Sequence, residues 1–343
     1  MSDTLSTETP PFTVSEILLL LECHYQLSGQ LKSLPGYCDL NLLLSCTDGS
    51  QYIVKIANSG EPEHELLMQN SAMAHLVRKG LAVPHAIENI STESMTTIES
   101  MAGQRFFLRV LTFMPGDFYA DVAPEKTCPT LWSDLGKFMA KIDQGLSDFQ
   151  HAGAYRYLIW DLAQGYGVCQ LQKQLFDPEQ KELVDYFLTL YQTQTMPLLS
   201  ELPQGVIHND ANDMNLLIDD KQNPTAITGL IDFGDMVHTQ LINELAITAA
   251  YVLMNQNDPL KTLGILVAGY HQVRPLADLE LEVLFPLIAL RLSVSVCNSA
   301  AAFKDNPDND YLLVSAQPAW ELLRRLRNLN SYAVLCQLRL ACG

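Results

Sequence analysis

The stretch GVIHNDANDMNLLID, residues 205–219, places His208, Asn209, Asp210, Asn212, Asp213 and Asn215 between two short apolar runs. Runs this short, bounded by polar turn residues, read as strands. Residues 205–233 therefore read as two short strand pairs around polar turns. Around this insertion the periodicity is helical, over 130–147, 155–173, 178–201, 240–255, 259–271, 278–303 and 316–336.

The first part of the chain reads differently. VSEILLLLECHYQL is a helix, and CDLNLLLSC and QYIVKIA are strands joined by the turn TDGS. EPEHELLMQNSAMAHLVRKG carries a 3.6-residue apolar rhythm and stops at Gly80. VPHAIEN and RFFLRVLTFMPG read as two further strands, and Pro115–Gly116 as a hinge. The expectation is an α+β chain in two parts. Residues 1–115 form a small antiparallel-sheet lobe, and residues 116–343 a mainly helical one.

Composition narrows the function. The chain has 21 Lys and Arg against 39 Asp and Glu, a net charge of −18, which repels phosphate backbones and anionic lipid. The expected partner is a small, cationic molecule, with no nucleic acid and no membrane; a homodimer is compatible with the chain. The eight cysteines show no C-x-x-C and no His/Cys cluster, so neither a zinc site nor a disulfide framework is expected. The polar start MSDTLSTETPP is unlike a signal peptide, and the apolar stretch 241–254 is interrupted by Asn243 and Glu244. A reducing cytoplasm is the expected location.

No P-loop, G-x-G-x-x-G or G-x-S-x-G is present, and HELLM at 64–68 lacks a zincin's second His. What remains is H-x-D-x-x-x-x-N from His208 to Asn215, then Asp232 in IDFGD 17 residues later, with Lys55 upstream in an apolar strand. Phosphoryl transfer needs these residue types in this order. Asn215 and Asp232 supply hard oxygen ligands for Mg²⁺, and Asp210 orients a hydroxyl and takes its proton. Lys55 holds the phosphates of ATP or GTP.

On these motifs the chain resembles the aminoglycoside phosphotransferase and choline kinase superfamily, of bilobal protein-kinase-like fold. Within it the resemblance runs towards hydroxylysine kinases and the kinase-like domain fused to some class III aminotransferases. LPGYCDLNLLL looks like their nucleotide loop, LLMQNSAMAHL their long helix, and IDFGDMVHT with NELAI their metal loop and following helix. LIALRLSVSVCNSA and DNDYLLVSAQPAWELL resemble the end of the fused domain, and with no aminotransferase module after residue 343 the stand-alone form is implied. The resemblance implies Asp210 as base, His208 as brace of its loop, Asn215 and Asp232 as metal ligands, Lys55 as phosphate lysine and Glu244 as support for the catalytic loop. The lysine's partner is either Glu65 or Gln69, one helical turn apart, with alignment favouring Gln69. Gly36 is the one glycine of the nucleotide loop, where Asp39 and Asn41 supply polarity.

For the acceptor, Trp160 beside Asp161 suits an ammonium group, or is a core tryptophan followed by a helix cap. Arg291 and Asn298 share one face of an apolar helix; they meet a substrate carboxylate or tie the helix to the loops. Asp235 approaches a second metal or caps a turn, His238 edges the core, and Asp213 faces solvent. The implied activity is transfer of a γ-phosphate to an amino alcohol or a hydroxylated amino acid such as hydroxylysine. The alternatives are a nucleotide-binding module without turnover and an aminoglycoside phosphotransferase. A protein kinase is disfavoured, because no A-P-E follows the metal loop.

Overall fold

A computed structural model describes residues 9–36, 39–305 and 316–343. Most of the polar N-terminal stretch, Tyr37 and Cys38 of the nucleotide loop, and residues 306–315 of the C-terminal signature lie outside the described residues. The chain divides into two compact units. One holds residues 1–115 with His151–Gly153; the other holds 116–150 and 154–343.

In the first unit, helix α1 (Val14–Tyr25) starts at a capping box, Thr13 and Glu16 each bonding the other's backbone. It lies on an antiparallel sheet of order β1-β2-β3-β5-β4. The strands are β1 (Gly29–Leu34), β2 (Leu40–Cys46), β3 (Gln51–Ala57), β4 (Thr96–Glu99) and β5 (Arg105–Thr112). Ile17, Leu21 and Tyr25 of α1 meet Leu42, Leu44, Val54, Ile56, Leu108 and Val110 from one sheet face. Because strand side chains alternate, Asn41, Lys55 and Arg109, adjacent in register, point to the other face. There helix α2 (Glu63–Arg78) supplies Gln69 and Asn70.

VPHAIEN is not a strand. Pro84 has no N–H to give a ladder, and only Ala86 bridges, to Leu111. On the side away from β3, β5 pairs with β4, and the sheet's edges are β4 and β1, whose GQLKSL carries little strand signal.

The second unit is mainly helical: α3 (Pro129–Leu146), α4 (Leu162–Gln172), α5 (Pro178–Gln194), α6 (Ile242–Val252), α7 (Pro259–Val273), α8 (Asp278–Asp305), α9 (Ala316–Arg327) and α10 (Ser331–Cys342). Three expected boundaries move. Residues 155–161 are not helix, since Asp161 caps α4 by accepting from Ala163 N at 3.0 Å. Pro197 turns the end of the 178–201 segment into 3₁₀ helix, and Asn330 caps a new helix within 316–336. The body of α8 is buried nearly all round, as a central helix must be. Helices α3 and α7 touch at two glycines: a Cβ on Gly136 would stand 2.1 Å from the Leu266 carbonyl oxygen, and one on Gly269 2.3 Å from that of Ser133.

The insertion forms two small sheets. Strand β7 (Gln204–Ile207) pairs with β10 (Val237–Gln240), which lies past the expected insertion and overlaps the expected 240–255 helix only at Gln240. Strand β8 (Leu216–Ile218) lies between β6 (Asp117–Phe118) and β9 (Ile227–Leu230). Among the described residues no helix is long and apolar enough to cross a membrane.

Candidate active site

Both polar loops of the second unit start where a short strand ends. His208 follows β7, fully buried; its Nε2 donates to the Ile231 carbonyl at 3.0 Å and its Nδ1 accepts from Asp210 N at 3.2 Å. That pairing requires the neutral Nε2–H tautomer. Burial agrees, lowering the His208 pKa to about 4. The ring also meets Phe233 edge-on at 4.7 Å, so one side chain joins the 208–215 loop to the 231–236 loop. Asn209 follows with φ +68°, and its N–H donates to Glu244 Oε2 of α6 at 3.0 Å. Burial pushes the Glu244 carboxyl well up from its ordinary range.

Asp210 is held from three sides. Asn212 Nδ2 lies 3.0 Å from both carboxylate oxygens, Asn215 Nδ2 2.8 Å from Oδ2, and Arg291 Nη2 3.0 Å from Oδ1. Its side chain remains 22% exposed, so it is accessible. Burial, then the Asp235 carboxylate, raises its pKa, and the Arg291 guanidinium opposes the rise. Asn212 also shapes the loop, its Oδ1 accepting from Met214 N and Asn215 N at 2.8 and 3.1 Å.

Asn215 spends its amide N–H groups on Asp210, at Oδ2 and at the backbone carbonyl (2.9 Å). Its Oδ1 is thereby oriented as an acceptor. Asp232 stands at the start of the second loop with φ +60°, exposed. An amide oxygen and a carboxylate are hard donors that suit a divalent cation completed by phosphate oxygens and water. Among the described residues no group of three or more His, Cys, Asp or Glu forms a cage that would hold a metal by itself. Asp235 accepts no hydrogen bond from the described residues, and burial raises its pKa.

The acceptor residues read from the sequence fall differently. Trp160 does not offer an open ring: the Arg291 guanidinium lies 5.0 Å from its centroid. Asp161 is 4% exposed and spent on Ala163 N and the Thr239 hydroxyl, so it is the cap and not an open carboxylate. Arg291 is 1% exposed and faces Asp210, while Asn298 on the same helix is buried. His238 stacks on Tyr155 at 4.6 Å. Asp213 is only partly exposed, and burial raises its pKa.

In the first unit, Gln69 Oε1 accepts from Arg109 Nη1 at 2.8 Å, so the glutamine expected beside Lys55 serves the neighbouring arginine. Glu65 is half-buried one turn earlier on α2. Asp39 takes the Asn58 N–H at 3.0 Å, closing the end of β3. Asn41 Nδ2 donates to the Pro35 carbonyl, and a Cβ on Gly36 would sit 2.8 Å from the Asp39 carbonyl oxygen, a close backbone approach that favours glycine.

The sequence reading missed Arg156, Asn212 and Tyr251. Arg156 Nε donates to the Met236 carbonyl at 3.0 Å and its Nη2 to the Gly234 carbonyl, holding the second loop. Only Asn212 carried a local signal, as an amide two residues after Asp210.

Comparison with known proteins identifies the family and the fold. Residues 35–279 match the phosphotransferase enzyme family. Hydroxylysine kinase of Xenopus laevis is 30% identical, covering 96% of this chain and 94% of that protein. Hydroxylysine kinase of Mus musculus is 27% identical over 95% and 92%. An amicoumacin kinase structure superposes with TM-score 0.70 at 18% identity, covering 94% of this chain and 97% of that one. A microcompartment-associated aminopropanol kinase gives 0.71 at 17%, covering 90% and 96%. The fold is thus the bilobal α+β kinase-like one expected. The chain belongs to the phosphotransferase enzyme family and is a kinase that phosphorylates a hydroxyl group of a small molecule.

Proposed function

We propose that the protein transfers the γ-phosphoryl group of ATP or GTP, with Mg²⁺, to the hydroxyl of hydroxylysine or a closely related amino alcohol. The observation that carries the chemistry is the commitment of Asn215's N–H groups to Asp210. It presents the amide oxygen for a metal and fixes the carboxylate that faces the acceptor. Asp210 aligns the hydroxyl and takes its proton as the P–O bond forms. Asn215 and Asp232 hold Mg²⁺, which neutralises charge on the phosphates when bound. His208 and Glu244 keep the two loops in register. In the first unit Lys55 takes the α- and β-phosphates; with Gln69 bonded to Arg109, Glu65 is the candidate left for its partner, and Asp39 and Asn41 shape the strands around it. Catalysis comes chiefly from positioning and charge neutralisation.

The acceptor assignment rests on the whole-chain similarity to proteins named hydroxylysine kinase and on the local charge. Asp210, Asp232 and Asp235 gather three carboxylates that act on one another, against the guanidiniums of Arg156 and Arg291, and attract an ammonium group. The test is nucleoside diphosphate release with Mg²⁺ and ATP or GTP over hydroxylysine, ethanolamine, choline, homoserine, threonine and an aminoglycoside. Hydroxylysine should give the highest turnover, and Asp210→Asn should abolish it while nucleotide still binds. An Asp210→Asn protein with wild-type turnover overturns the base, and a higher rate on the aminoglycoside overturns the acceptor.

A further inference from the structure

The least expected neighbour of Asp210 comes from far along the chain. Arg291, in the middle of α8, is a permanently charged group buried to 1% exposure on an otherwise apolar helix. A buried guanidinium persists only where its charge and its N–H groups are answered. Here Nη2 donates to Asp210 Oδ1 at 3.0 Å and to the Tyr251 hydroxyl at 3.3 Å, and Nη1 donates to the Trp160 carbonyl at 3.0 Å. The rings of Trp160 and Tyr251 lie 5.0 and 5.4 Å from its central carbon. The fork is thus fixed by a helix, a carbonyl and two aromatic rings before it reaches the carboxylate. Nε has no partner among the described residues but is itself buried, so a substrate carboxylate would have to displace Asp210 to reach the outer edge of the fork.

We propose that Arg291 is a positioning residue for phosphoryl transfer, which acts through Asp210 and does not bind the acceptor. With Oδ1 tied to Arg291 and Oδ2 to Asn215, the carboxylate cannot rotate about its Cβ–Cγ bond, and the oxygen facing the acceptor stays aligned. The arrangement needs a planar fork. A lysine ammonium in its place reaches one partner at a time and cannot bridge the Trp160 carbonyl and Asp210 together. Trp160 contributes through its backbone carbonyl and ring face, and Tyr251 through its hydroxyl.

This inference rests on Asp210 being the base, so the two are tested side by side. Steady-state rates are measured for wild type, Arg291→Lys, Tyr251→Phe and Asp210→Asn, with the acceptor that turns over fastest in the panel above and, in parallel, with water as the only acceptor. Arg291→Lys should lower kcat at least tenfold with acceptor KM within threefold of wild type. Tyr251→Phe, which leaves no charge stranded, should lower kcat two- to fivefold with KM unchanged. A rise in acceptor KM at retained kcat makes Arg291 a substrate receptor and overturns the proposal. So does an unchanged kcat in both folded variants. If Asp210→Asn keeps turnover, the base assignment falls instead.

A readout independent of turnover follows from the same geometry. In protein labelled with ¹⁵N-arginine, Arg291, identified by its loss in Arg291→Lys, should show slowly exchanging Nη resonances. Asp210→Asn should shift or broaden the Nη2 signal, and an unaltered signal overturns the ion pair.

Discussion

Replacing His208 by glutamine tests the brace between the two loops, and its magnitude follows from burial. The imidazole is fully buried, and burial holds its pKa at about 4 against 6.5 for an unperturbed histidine. Between these values the unfolded chain binds a proton that the native state refuses, so wild-type stability is intact above pH 6.5 and is lost as pH falls towards 4. At about 1.36 kcal/mol per pH unit, the loss at pH 5 is roughly 2 kcal/mol. In the His208→Gln variant the amide has nothing to protonate. Near pH 7.5 the variant should be less stable by about 1–3 kcal/mol, because Ile231 O and Asp210 N cannot both keep a partner. That gap should shrink by roughly 2 kcal/mol at pH 5. Urea unfolding followed by tryptophan fluorescence reads this unit, since Trp132, Trp160 and Trp320 all lie in it. A gap that stays constant from pH 7.5 to 5 would refute the buried neutral histidine, and a widening gap would mean that the native state binds the proton.

Two further outcomes are expected. Gly269→Ala should destabilise by about 1–3 kcal/mol, because its Cβ meets the Ser133 backbone and α3 and α7 must part. Gly264→Ala on the same helix meets nothing closer than 3.9 Å and should gain up to about 1 kcal/mol of helix propensity; equal urea midpoints for the two variants would contradict the seam. Asp161→Ala should cost about 1–2 kcal/mol through the lost cap of α4 with acceptor KM within twofold of wild type, and a large rise in KM would return Asp161 to the acceptor site.

The grouping of the candidate site residues was legible because it forms within a loop. Asp210 and Asn215 are five residues apart, and the amide reaches the carboxylate without help from elsewhere. The class of fold was legible too, since α2 has a 3.6-residue rhythm and β3 an alternation that hold in any tertiary context. Boundaries followed local rules that pattern reading passed over. Pro84 removed a strand, and Asp161 and Asn330 began helices where periodicity ran on.

The partners across the fold were decided elsewhere. Arg291 lies 81 residues from Asp210, and only the docking of α8 brings its guanidinium under the carboxylate. Trp160 and Asp161 read either as an acceptor pair or as a core tryptophan and a cap, because their takers, Arg291 and Thr239, are remote in sequence. Gln69 reads as a partner for Lys55, yet strand register puts Arg109 beside that lysine, and its charged fork takes the glutamine oxygen 40 residues away. By itself the sequence determined which chemistry the chain carries, because residue type and short spacing suffice for that. Tertiary structure alone decided which buried charges answer one another, because a buried polar group must find its partner wherever packing sets one down.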